Sequence, residues 1–296
     1  MKIDIQNPKD HPLDTIACLL RSRHMSSAQR RKLKREADVQ INGKTADWGT
    51  RLRSGDRIVL TREEPMKYAP EPLQIPIVWE DPWFLIISKP AGMLSHPTPQ
   101  ERCGTVGNQV ISYLGSSVFH PVHRLDRWTS GLMLIAKSAM AQYDFDRLSS
   151  STMIRTYDGF SYGACPVSCG SIRVPIARKP GSIIERCVSA DGQSAWTDFT
   201  VQARSRGCTW FRFLLHTGRT HQIRVHMSWF GYPLIGDTLY GSSGVPGGRQ
   251  LLHAGQIWFC HPYTHHPVSV SSPYPEDMLL HAKKCGWCLL PPLPNC

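Results

Sequence analysis

Residues 63–76, EEPMKYAPEPLQIP, hold four prolines in fourteen positions and show no apolar period. Proline fixes φ and removes a backbone donor, so neither a helix interior nor a central strand runs through such a stretch. The chain is therefore read as a small N-terminal part, a semi-rigid connector and a long remainder. The expected boundaries are 1–64, 65–75 and 76–296. With 296 residues and 41% hydrophobic content, there is enough chain for two cores of unequal size.

Charge follows the same division. The formal net charge is +11, and residues 1–62 carry +7 of it. A basic excess of this kind favours an anionic partner, most commonly nucleic acid. Leu13, Ile16, Ala17, Leu19 and Leu20 make a short helical stripe. Ser26-x-x-Gln29 then has the form of a capping box opening a second helix, SSAQRRKLKREA. Ala28, Leu33 and Ala37 can face inward, leaving Arg30, Arg31, Lys34 and Arg35 on the outer surface. These charges share one sign and lack the alternation of a solvated face, so they are assigned to phosphate contacts. VQING reads as a strand into an Asn42-Gly43 turn, and LRSGDRIVLTR as a Gly55-Asp56 turn into another strand. On the Ser26–Ala37 helix, VQINGK and GDRIVL, the unit resembles the small αL RNA-binding module of ribosomal proteins, the S-four type. That likeness implies an RNA partner.

Beyond residue 76 come many short β-like runs without the helix alternation of a parallel βαβ fold. PIVWE and FLIISKP flank Asp81-Pro82 as a hairpin. GLMLIAKS, MIRTYDGFSYG, SIRVPIAR, RCVSADGQSAWTDFTVQAR, CTWFRFLLHTG and LLHAGQIWFCHP follow. SAMAQYDFDRL and THQIRVHMSWF read as helices, the second starting near Thr220 and stopping at Gly231. The expected class is α+β, with a mostly antiparallel mixed sheet preceded by a small α/β-hairpin RNA-binding domain. No apolar run reaches the ~18 residues of a membrane span, and MKIDIQNPKD has no apolar signal region. A cytoplasmic protein with reduced thiols and no membrane partner is expected. His281, Cys285, Cys288 and Cys296 have zinc-like spacing, but there is one C-x-x-C and the last cysteine sits where chains fray. No metal is expected.

Several chemistries are excluded by what is missing. There is no H-x-E with P-C-x-x-C for a zinc base deaminase, and neither a P-loop nor a G-x-G-x-x-G after a strand. GSSGVPGG (241–248) opens no helix and reads as a surface loop. His216, His221 and His226 recur every five residues, which fits neither a helix face nor a strand face. What remains is Asp126, set between Arg124 and Arg127, together with Tyr157 and the run HTGRTHQIRVH (216–226). On a helix from Thr220, His221 and Arg224 share a face, and such an arginine can hold a carboxylate ionised where water is excluded. From the residues alone, an aspartate between two arginines reads first as a salt-bridged loop residue.

HRLDRWTSGLMLIAK, RTYDGFSYG, HTGRTHQIRVHMSWFGYPLIGDTLYG and LLHAGQIWFCHP resemble, in order, the successive motifs of the RluA-type pseudouridine synthases over about residues 74–278. The likeness implies an RNA isomerase without a cofactor. Asp126 would be its essential aspartate. Tyr157 would pack on the target base and take its proton, and Arg224 would pair with the aspartate. Arg124 would fill the hole left by the extruded nucleotide, with Leu252 and His221 supporting the pocket. Arg155 and Gly159 stand where the family usually has Lys and Ala. A monomer acting on RNA is expected, with large-subunit ribosomal RNA favoured over transfer RNA. Two other readings would carry different signatures. A non-catalytic RNA-binding protein would have lost Asp126, Tyr157 or Arg224, and a glycosidase would need two cooperating carboxylates.

Overall fold

Alternating isoleucines start the first sheet. The computed structural model describes residues 2–23, 25, 27–62, 68–205, 207–241 and 248–289. Its N-terminal part contains β1 (Lys2–Gln6), α1 (Ile16–Ser22), α2 (Ser27–Glu36), β2 (Asp38–Ile41), β3 (Lys44–Thr45) and β4 (Arg57–Thr61). The strands form an antiparallel sheet in the order β1-β4-β2-β3. Ile3, Ile5, Leu19, Leu20, Leu33, Ile58 and Leu60 bury together beneath it. Strand β1 is an addition to the expected elements, because KIDIQ alternates over only five residues and becomes core once β4 pairs with it. Asn42 and Gly43 take φ of 52° and 78°, the paired positive angles that let a two-residue turn match strand twist. On α2, Arg31, Lys34 and Arg35 are exposed, whereas Arg30 is partly buried and donates to the Met25 carbonyl. The expected Ser26 cap lies outside the described residues.

The described part of the connector, residues 68–75, is not a free strap. Gln109 Oε1 accepts from Gln74 N at 2.8 Å, Asn108 Nδ2 donates to the Ala69 carbonyl at 2.8 Å, and Ile75 is buried. Prolines without regular structure are here laid along a helix that satisfies their neighbours' backbone groups.

The larger part contains β5 (Ile77–Glu80), β6 (Phe84–Lys89), α3 (Val106–Leu114), β7 (His120–Pro121), β8 (Ser130–Ala136), α4 (Ala139–Leu148) and β9 (Ile154–Tyr162). It continues with β10 (Cys169–Ile172), β11 (Ile176–Arg178), β12 (Arg186–Val188), β13 (Thr197–Ser205), β14 (Cys208–Leu215) and α5 (Gln222–Trp229). Strands β15 (Leu252–Cys260) and β16 (Pro267–Ser271) and helix α6 (Glu276–Lys284) complete it. Ten strands form one sheet, ordered β10-β13-β14-β9-β15-β8-β6-β5, with β16 on β15 and β7 on β8. Its pairs are antiparallel except β8 with β15. Both sheet faces are covered. Leu85, Ile87, Met133 and Ile135 face the side of α3 and α5, while Phe84, Ile86, Leu132 and Leu134 face α4. That two-sided burial explains why FLII and LMLIA are continuous apolar runs.

Three local expectations change. SIRVPIAR is two strands in different sheets, broken at Pro175, where proline cannot donate to a ladder. Helix α3 went unseen because its capping box closes Thr105 on Asn108 rather than on Glu or Gln. Helix α6, capped by Pro275 without a side-chain hydrogen bond, was also missed.

Two histidines make stability depend on pH. His123 Nε2 accepts from Leu134 N at 3.1 Å, and burial followed by Arg155 pushes its pKa down to about 3. Burial also pushes His253, partnered by Ser130 Oγ at 2.9 Å, down to about 4. Both are neutral when folded and protonate near 6.5 when unfolded, so the unfolded chain binds more protons between those limits. Stability is full above about pH 6.5 and falls on acidification, by up to about 1.4 kcal/mol per pH unit for each histidine. Urea midpoints between pH 7 and 4.5 should show this decline, and His123→Gln should flatten it. An unchanged slope in the variant would rule out His123 as a source.

Candidate active site

The loop between β7 and β8 carries Asp126, and it is tied down from below. Lys89, at the end of β6, is buried and donates to the carbonyls of Pro90, Met93 and Arg127 at 2.9, 2.8 and 3.0 Å. Burial pushes its pKa down to about 7, against the opposing pull of the Asp126 charge. Ser95 Oγ donates to the Leu125 carbonyl at 2.7 Å, and Gly92 N to the Arg127 carbonyl at 2.9 Å. Asp126 is thus fixed by its neighbours' backbones. Gly131, at φ 111°, follows in the same loop-to-strand passage, and a Cβ there would lie 2.2 Å from the Ala254 oxygen. Only glycine lets β8 and β15 meet so closely.

Facing Asp126 is the start of α5. Arg224 Nη1 lies 3.4 Å from Asp126 Oδ2, so the expected pair is present but long. The stronger bonds of Arg224 go elsewhere. Nε and Nη2 form a two-pronged bond to Asp237 at 2.7 and 2.8 Å, both side chains being buried. Burial alone would lower the Arg224 pKa, but hydrogen bonds and charge from Asp237, with a contribution from Asp126, raise it. Asp237 also accepts from the backbone N–H groups of Leu239 and Tyr240. Asp126 therefore sees a fixed cation whose geometry a third residue sets. No sequence signal marked Asp237 within GYPLIGDTLYG.

The helix begins later than expected. His221 precedes it at φ 58°, and α5 starts at Gln222. The cause is Gln222, whose buried amide accepts from Thr217 Oγ1 and Arg219 N and donates to Trp196 O and Thr197 Oγ1. His221 still reaches the site. The Tyr240 hydroxyl accepts from Arg186 N at 2.8 Å and is hydrogen-bonded to His221 Nδ1 at 2.8 Å. The other ring nitrogen, Nε2, lies 4.0 Å from Asp126 Oδ1. Burial lowers the His221 pKa despite the nearby Asp126.

These groups line a cleft of about 220 Å³ with Arg124, Arg155, Tyr157, Leu215, Arg219 and Leu252. Asp126 is its single acidic side chain among the described residues. Tyr157 is nearly buried on β9, and burial raises its phenol pKa. Leu252 lies opposite Gly159 in the sheet, where an alanine Cβ would meet Phe213 at 3.0 Å and Leu252 at 3.2 Å. The glycine at this position thus keeps a large pair packed beneath the tyrosine strand. Arg124 is exposed and donates to Thr220 Oγ1 at 2.6 Å. Arg155 rests against Gly218, where a Cβ would come within 3.1 Å of its guanidinium. Arg30, Arg31, Lys34 and Arg35 belong to the other sheet's helix and do not line the cleft. Nor do His216, stacked on Trp196, and His226, bonded to Thr197 and Val174.

The larger part has the pseudouridylate synthase fold. Human RNA pseudouridylate synthase domain containing 1 superposes with a TM-score of 0.56 at 22% identity, covering 74% of this chain and 100% of that one. A family model described as RNA pseudouridylate synthase matches residues 83–229. An uncharacterized RNA pseudouridine synthase of Bacillus subtilis (strain 168) is 37% identical over 249 residues, 81% of this chain and 88% of its own. A second from the same organism is 34% identical over 290 residues, 94% of this chain and 96% of its own. Ribosomal large subunit pseudouridine synthase D of Xanthomonas campestris pv. campestris is 34% identical over 265 residues, 82% of this chain and 80% of its own. The chain belongs to the RNA pseudouridine synthase family and is an isomerase acting on RNA.

The buried fork gives a stability test. Asp237→Ala leaves the Arg224 guanidinium buried without its main partner, which typically costs about 3–5 kcal/mol. Urea unfolding should show a loss of that order. A loss below about 1 kcal/mol, the worth of an exposed pair, would mean the fork does not hold Arg224.

Proposed function

We propose that Asp126 is the reacting carboxylate of this pseudouridine synthase and that its main substrate is a uridine in large-subunit ribosomal RNA. One observation carries the first half: a lone carboxylate in an otherwise basic cleft, opposite an arginine fixed by Asp237. The name of the Xanthomonas relative, with the basic N-terminal helix, supports the second.

A uridine in folded RNA must leave its stack before its glycosidic bond is reachable. Arg124, exposed at the rim, is placed to fill the gap, and Arg155 and Arg219 offer charge to the flanking phosphates. The reaction breaks the bond from N1 to the sugar and joins C5 to the same carbon. The C5 hydrogen leaves, N1 gains a proton, and no electrons are exchanged with a cofactor. An ionised Asp126 could begin by attacking the base, attacking the sugar or taking a sugar proton. All three need the charge that Arg224 favours. Because burial keeps Tyr157 a phenol, it can take the C5 proton only while passing its own onward.

Mapping pseudouridines in total cellular RNA with and without the protein should show a large-subunit ribosomal site that disappears with it. Loss confined to transfer RNA would move the substrate, and an unchanged map would reject the proposal. Tyr157→Phe retains the ring, so RNA binding should persist while single-turnover completion slows. A rate equal to the parent's would leave the hydroxyl no chemical part.

The basic helix predicts a salt effect. Each phosphate contact contributes about 0.7–0.9 to the slope of log affinity against log salt. Replacing Arg31, Lys34 and Arg35 by Gln should therefore weaken binding to a long structured RNA and flatten its slope by about 2–3. An unchanged slope would return α2 to being a solvated face.

A further inference from the structure

Far from the cleft, three soft side chains converge where α6 meets the sheet. A ring nitrogen of His281 and the thiols of Cys208 and Cys285 all lie within 4.8 Å of one another. His281 and Cys285 are four residues apart on or at the end of α6, so they share a helix face. Cys208 opens β14, contributed by a distant part of the sequence. The His281 ring stacks on Phe160 at 5.5 Å, and its Nε2 is buried with no hydrogen-bond partner. A buried ring nitrogen left unpaired carries a desolvation cost that a ligand would remove. Cysteine as mere core packing accounts for the thiols, but not for this nitrogen.

We propose that Cys208, His281 and Cys285 form a structural zinc site that clasps the C-terminal helix to the catalytic sheet. Zinc takes thiolate at about 2.3 Å and imidazole at about 2.0–2.1 Å, which sets donor-to-donor edges of about 3.5–3.8 Å in a tetrahedron. A contraction of about 1.3 Å at most brings the three donors to those edges. Cys288 is exposed and outside that group of three, and it would have to swing in to supply the fourth donor. It is the second half of a C-x-x-C pair with Cys285, and Gly286, at φ 72°, turns the chain between them. The sequence grouping of His281, Cys285, Cys288 and Cys296 is thereby revised, with Cys208 entering from β14. Cys296 lies outside the described residues.

The site is separate from the reaction. Cys208 and the cleft residue Leu215 stand at opposite ends of β14, seven residues apart and so about 23 Å along an extended strand. It therefore depends on no assignment made to Asp126. Purified full-length protein, reduced and exposed to zinc, should retain about one metal per chain after desalting. Cobalt(II) alone should give a tetrahedral spectrum with a thiolate charge-transfer band. Cys208→Ser and His281→Phe should each reduce retained zinc below about a tenth of that level, whereas Cys187→Ser should retain it. Chelation should lower the unfolding temperature of the parent, and added zinc should restore it. If the parent binds neither metal when its thiols are verified as reduced, the site does not exist. A Cys208–Cys285 disulfide in protein purified without oxidant, or full zinc retention by both site variants, would overturn it too.

Discussion

The sheet is joined across one narrow contact, Gly131 against Ala254. Strands β8 and β15 run parallel there over two register pairs, and any side chain on Gly131 would strike the Ala254 backbone. The acidic loop and the tyrosine strand of the cleft meet at this crossing. Asp126 precedes it on one strand's approach, Leu252 precedes it on the other, and Tyr157 sits directly opposite Ala254 on β9. Ser130 and His253 seal it with a buried hydrogen bond. A backbone constraint, rather than a polar network, thus brings the acidic loop and the tyrosine strand to one place. Arg249 reinforces the arrangement by donating to the carbonyls of Trp128, Gln250 and Leu252 while its other nitrogens grip Asp277 of α6.

Electrostatics then decides what the place can do. A guanidinium buried beside a single carboxylate would be free to move with it, and each would set the other's geometry. Here Arg224 is committed to Asp237 through two short bonds, and Asp126 receives the remaining nitrogen at a longer distance. The proposed reacting group keeps a stabilising charge without being locked by it. The same logic applies to Lys89, whose three carbonyl partners hold the loop while its charge lies near Asp126. His221, whose pKa burial lowers and which bonds Tyr240, lies 4.0 Å from Asp126, farther than Arg224 at 3.4 Å.

Much of this was legible in the sequence, for identifiable reasons. Asp126, Tyr157, Arg224, Arg124, His221 and Leu252 line one cleft, and each stands in a long stretch of unusual residues. The β-runs were readable because two-sided burial makes them continuously apolar. Asp237, Gln222, Lys89 and Arg249 were not readable, because each acts by holding another residue or backbone, and such partnerships leave no spacing rule. The start of α5 was misplaced because Gln222 ties the preceding loop into a left-handed residue that periodicity does not register. Cys208 was invisible beside His281 and Cys285, because strand-to-helix packing, not local spacing, brings it there.

The central claim is that the charge of Asp126 serves reaction rather than stability. Its pairing with Arg224 is long and partly open to solvent, the class of contact worth no more than about 1 kcal/mol. Asp126→Asn retains size and removes charge, so single-turnover pseudouridine formation and urea unfolding should be measured on it side by side. The predicted result is a protein that binds RNA, unfolds within about 1 kcal/mol of the parent and forms no pseudouridine. Appreciable turnover by the variant, clear of contaminating enzyme, would contradict the account, above all if accompanied by a large loss of stability.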